Sequence, residues 1–89
     1  MLSESGVVGY SERERRLFEA LPKDGGRVNT LDLAKSLFGD EEVLNARQLV
    51  MVAMRALQTK ARINQERFDI RNSERAGPHP IEFWVEPRA

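Results

Sequence analysis

The 89-residue chain contains no cysteine. That excludes a disulfide framework, a thiolate zinc site and a cysteine nucleophile. It has one histidine, His79, which reads as a solvent-facing loop residue, since a usual zinc set needs further imidazole or thiolate ligands. No glycine-rich phosphate loop of the recognised spacings occurs, and Gly25-Gly26 reads as a turn. Three adjacent acids, Asp40-Glu41-Glu42, point different ways and lack the alternating ligands of a calcium loop. No apolar run approaches the roughly 20 residues of a membrane span. Residues 1–10 lack the basic flank and apolar stretch of a signal peptide. The expectation is therefore a cytoplasmic protein that is not an enzyme. No catalytic residues, metal, cofactor, small-molecule ligand or membrane contact is expected.

What is present suits one small globular domain. The chain is 40% hydrophobic and 31% charged, too apolar for a disordered polyelectrolyte. A chain this short buries roughly 60% of its unfolded surface, so the core is small. The formal net charge is zero, but it is unevenly spread. Residues 1–44 hold nine acids and six bases, whereas residues 45–89 hold five acids and eight bases. Between Asn45 and Arg75 there are seven bases to three acids. A localised basic stretch is the electrostatic footprint that a polyanion would require.

Hydrophobic spacing divides the chain. Residues 1–9 read as a flexible lead-in, and residues 10–89 as the domain. Ser11 with Glu14 forms a capping box that opens a first helix, with Leu17, Phe18 and Leu21 on its inner stripe. Pro22, Gly25 and Gly26 end it. Arg27-Val28-Asn29 suits a short edge strand. Asn29 or Thr30 then caps a second helix, with Leu31, Leu33, Ala34, Leu37 and Phe38 apolar and Gly39 closing it. The acidic turn follows, near the start of a third helix whose dipole favours negative charge. Asn45 with Gln48 matches another capping box for this helix, which runs to about Arg62. After Asn64 the period becomes two. Phe68 and Ile70, then Ile81, Phe83 and Val85, mark the buried faces of two antiparallel strands. A polar loop, Asn72 to Pro80, joins them.

This order resembles the winged helix-turn-helix family, an α+β fold of three helices and a small antiparallel sheet ending in a β-hairpin wing. The resemblance covers about residues 10–86. It rests on Leu17-Phe18, on Leu31-x-Leu33-Ala34 through Leu37-Phe38, and on the long third helix. The layout is most similar to the DNA-binding effector domains of bacterial response regulators. It departs from them at Ile81-Glu82-Phe83-Trp84, where those domains carry a glycine-rich hairpin with a Gly-Tyr pair, so the subfamily is left open. The resemblance implies a DNA-binding domain, a small transcription regulator. Helix 45–62 would lie in the major groove of double-stranded DNA, and the 71–80 wing on backbone or minor groove.

The third helix can be tested on a wheel at roughly 100° per residue. Leu49, Val50, Val52, Ala53, Ala56 and Leu57 fall on one broad side. Arg47, Gln48, Met51, Arg55, Gln58, Thr59 and Arg62 share an arc of roughly 120° on the other, with no acid among them. Arginine can grip guanine and glutamine can grip adenine through paired hydrogen bonds. Met51 could touch a thymine methyl or a protein. The plain alternative is a solvent face that happens to lack acids. Arg47, Gln48, Arg55, Gln58 and Thr59 are the candidates for the groove, and Arg62, Arg71 and Arg75 are the candidates for phosphate or wing contacts. Trp84 is out of register with Phe83 and Val85, so it either covers the outer sheet face, packs on the long helix or anchors a partner. A second function stays open, a winged-helix module that binds protein or pairs as a homodimer without DNA affinity.

Overall fold

A computed structural model of the protein describes residue 2 and residues 6–39, 45–73 and 81–88. Arg75, His79 and the turn Asp40-Glu41-Glu42 lie outside the described residues. Among those described are three helices and one three-stranded antiparallel sheet, an α+β domain. No helix among them is long and apolar enough to cross a membrane.

Helix α1 spans Glu12–Ala20 and opens as its sequence dictates. Ser11 accepts a hydrogen bond from the Glu14 amide at 3.1 Å, and Glu14 accepts one from the Ser11 amide at 2.7 Å. Two free amides of the first turn are thereby satisfied. At the other end the Lys23 ammonium caps the Phe18 and Leu21 carbonyls and lies 4.0 Å from the Phe18 ring centroid.

Strand β1, Val28–Asn29, runs directly into α2, Thr30–Phe38. Asn29 accepts from the Asp32 amide at 2.9 Å and is the cap. Thr30 is buried, and both its amide and its hydroxyl donate to the Ile81 carbonyl. Gly39 closes α2 at φ 65° and ψ −139°, a conformation that side chains rarely tolerate.

Helix α3, Ala46–Ile63, starts differently from the sequence expectation. Asn45 is left-handed, at φ 61° and ψ 30°, and its side chain makes no capping bond. The Asn45–Gln48 spacing fits a capping box, but that box needs an extended cap residue. The far end closes by a Schellman motif, in which Gln65 is left-handed (φ 53°). The Glu66 amide reaches the Ala61 carbonyl at 3.0 Å, and the Gln65 amide reaches that of Arg62 at 3.1 Å.

Strands β2, Phe68–Asn72, and β3, Glu82–Pro87, complete the sheet in the order β1-β3-β2. Ile70 faces Val85 and Arg71 faces Trp84. Opposed residues share a face, so Phe83, Ile70 and Val85 point to the helices while Arg71 and Trp84 point outward. The core gathers Phe83, Leu17, Leu21, Leu33, Val50, Met54 and Leu57, all fully buried.

The buried face of α3 is narrower than its composition suggests. Val50, Ala53, Met54, Leu57 and Ala61 are buried, but Val52 is 65% exposed. Two residues past Val50 is a turn of roughly 200°, which carries Val52 to the opposite side.

The chain before α1 is tied to the end of α3. The Asn64 amide group donates to the Val8 carbonyl at 2.9 Å and accepts from the Val8 amide at 2.8 Å. A Cβ at Gly6 would sit 2.5 Å from that Asn64 amide carbon, so any side chain there would push the Asn64 amide out of this clasp. Leu2 and Tyr10 are buried, and the Tyr10 hydroxyl donates to Glu66 at 2.6 Å. Burial, and then the Glu66 hydrogen bond, push the Tyr10 hydroxyl up to about 12.

Candidate functional site

The site is built on the solvent side of α3. Arg47, Gln48, Arg55, Thr59 and Arg62 are exposed along it, and Met51 is half-buried against the core. The helix contains four bases and no acid. Among the described residues Lys60 alone of the four has a carboxylate partner. It turns back to Glu14 of α1, with nitrogen and oxygen 2.8 Å apart. Among the described residues no carboxylate lies within 4.0 Å of Arg47, Arg55 or Arg62. Four of the nine described cations outside α3 have carboxylate partners. Arg16 pairs with Glu12, Arg27 with Glu82, Arg71 with Glu86 and Arg88 with Asp69.

Gln58 has a second use. Its Nε2 donates to the Ile70 carbonyl of β2 at 3.0 Å, tying the helix to the sheet edge. The polar arc thereby continues around that edge onto the outer sheet face. There a groove of about 320 Å³ is lined by Gln58, Arg62, Ile70, Arg71, Asn72, Trp84 and Glu86. Trp84 lies under the Arg27 guanidinium, 4.1 Å from it, and donates its indole N–H to Glu86 at 3.1 Å. Arg71 Nε donates to the other Glu86 oxygen, also at 3.1 Å. The Trp84 hydrogen bond, against slight burial and reinforced by Arg71, holds the Glu86 carboxyl below its ordinary value.

Of the residues singled out from sequence, Arg47, Gln48, Met51, Arg55, Gln58, Thr59 and Arg62 thus occupy one helix side. Arg71 joins them across the β2 edge, and Arg75 lies outside the described residues. Glu86 and Arg27 were missed. They meet Trp84 and Arg71 only through the β1-β3-β2 pairing, which no local spacing announces. On the other flank of α3, Leu49, Val52 and Ala56 line an open apolar groove of about 440 Å³ with Ser11 and Arg13 of the α1 side.

The chain matches no known family model, no characterised protein and no solved structure in the comparisons made.

Proposed function

We propose that this protein is a winged helix-turn-helix domain that binds double-stranded DNA, with α2 and α3 as the helix-turn-helix and α3 as the reading helix. The observation that carries the proposal is the acid-free solvent side of α3, whose arginines have no carboxylate within 4.0 Å among the described residues. The sheet order β1-β3-β2, with the last two strands following the long helix, supports the fold reading.

Dimensions divide the labour. Arg47 to Arg55 span about 12 Å of helix, which matches a major groove about 12 Å wide. Arg47, Gln48 and Arg55 are therefore the base-reading residues, with Met51 beside them at the thymine methyl level. Thr59 and Arg62 lie further along the axis, at the height of a flanking phosphate strand. Arg71 extends that line across the sheet edge.

Fluorescence anisotropy on a pool of labelled genomic duplexes tests the proposal. At low salt the protein binds, and log affinity falls with log salt by roughly 0.9 for each phosphate neutralised. Arg55→Ala lowers affinity about tenfold, within the range of a lost bidentate base contact. Absence of binding at about 50 mM salt overturns the proposal.

A second reading, a protein-binding module or homodimer, has one observation in its favour, the exposed Val52 beside the apolar groove. Concentration-dependent sedimentation that Val52→Asp abolishes, together with no DNA binding, would replace the first reading by this one.

A further inference from the structure

We propose that Arg71 and Trp84 form a seat for one DNA backbone phosphate, that Glu86 fills this seat in the free protein, and that the phosphate displaces it on binding. This inference rests on the DNA-binding reading above and assigns a specific contact within it.

The geometry is that of an oxyanion held at both oxygens. One carboxylate oxygen of Glu86 accepts from Arg71 Nε and the other from Trp84 Nε1, each at 3.1 Å. A phosphodiester offers the same pair, two non-bridging oxygens sharing one negative charge. Charge-assisted donors of this kind serve carboxylate and phosphate alike.

The surroundings are what a phosphate meets and a carboxylate does not need. Arg62 lines the same groove and has no carboxylate within 4.0 Å among the described residues. Among the described residues Glu86 is the only acid lining it. One internal anion thus stands before two guanidinium groups, and the second lies on the helix proposed to face DNA. The Arg27 guanidinium lies over the Trp84 ring, 4.1 Å from its centroid, and adds a third positive charge near Glu86.

The occupant is loosely bound. Arg71 and Glu86 are both about half exposed, and exposed ion pairs hold weakly. Glu86 therefore keeps the two donors arranged for an anion and yields to a stronger one. Once displaced, it remains close to a like charge, so it also weakens the complex.

The test is affinity for the duplex pool at about 0.1 M salt. Glu86→Gln keeps the size of the side chain and removes its charge. It tightens binding about two- to fivefold, the range set by releasing one exposed ion pair. Glu12→Gln changes the net charge equally at the exposed Glu12–Arg16 pair of α1 and tightens binding less. In an Arg71→Gln background the gain from Glu86→Gln disappears. Emission from Trp84, the sole tryptophan, shifts on saturation with DNA and reports the seat without relying on affinity.

Equal effects of Glu86→Gln and Glu12→Gln, or an unchanged Trp84 emission, overturn the seat and leave DNA binding standing. Weaker binding by Glu86→Gln, with unaltered circular dichroism, also overturns it. Failure of the wild-type protein to bind overturns both proposals.

Discussion

Helices α1 and α3 are both rich in arginine, yet they treat it in opposite ways. The nine residues of α1 contain three arginines and three acids. Arg16 pairs with Glu12 one turn away, Arg13 lies over the Phe38 ring, and Glu14 is held by Ser11 and Lys60. The eighteen residues of α3 contain four bases and no acid, and the one base that is paired among the described residues borrows its carboxylate from α1. A net charge of zero therefore conceals one helix whose acids and bases balance in number beside another that carries bases alone. What a surface attracts depends on where cations are neutralised, not on their sum.

The largest effect should come from the core that both helices share. Leu57 is fully buried on the inner face of α3. Leu57→Ala should cost about 3–5 kcal/mol in urea unfolding through the cavity it leaves, enough to erase the contrast by unfolding both partners.

Next comes the link between the helices. Glu14 is 7% exposed and Lys60 24%. Glu14→Gln should cost about 2 kcal/mol, less than for a fully buried pair, because water still reaches the lysine. Burial pushes the Glu14 carboxyl up, but the Lys60 and Ser11 hydrogen bonds and the Lys60 charge outweigh it and hold the group below 4.5. The folded protein thus binds this proton less readily than the unfolded chain. The stabilisation is complete above about pH 4.5 and is lost as pH falls through the lower folded value. Urea midpoints of wild type and Glu14→Gln should therefore differ at pH 7 and converge in acid. A difference that persists at low pH would contradict the assignment.

The smallest stability effect sharpens the comparison most. Arg16→Ala breaks an exposed i,i+4 pair and should cost at most about 0.5 kcal/mol. It should also leave duplex affinity within about twofold. Arg55→Ala should do the reverse, with an unchanged unfolding midpoint and the tenfold loss of affinity given above. Equal affinity losses for the two variants would reduce α3 to one more patch of diffuse charge.

Local signals are legible at two of the three helix starts, where neighbours in sequence complete the interaction. Ser11 and Glu14 satisfy each other within one turn, and Asn29 caps α2 through Asp32, so both starts are legible. The same rule failed at Asn45, because a left-handed cap turns its side chain away from the amides it would serve. Val52 was grouped with the apolar side of α3 although it sits opposite Val50, a matter of which third of the wheel the other elements cover. Nothing local announced the Asn64 clasp on Val8, which joins residues 56 positions apart.

By itself the sequence determined the helices, the apolar positions of the strands, and an acid-free third helix, since each follows from periodicity and residue type within a few turns of chain. Tertiary structure alone decided which cations are neutralised and by what. Lys60 meets Glu14 across 46 residues, and Arg71 meets Glu86 across 15 through strand pairing. Ion pairing depends on distances of a few ångströms, and separations along the chain of that length acquire such distances only when the core has closed.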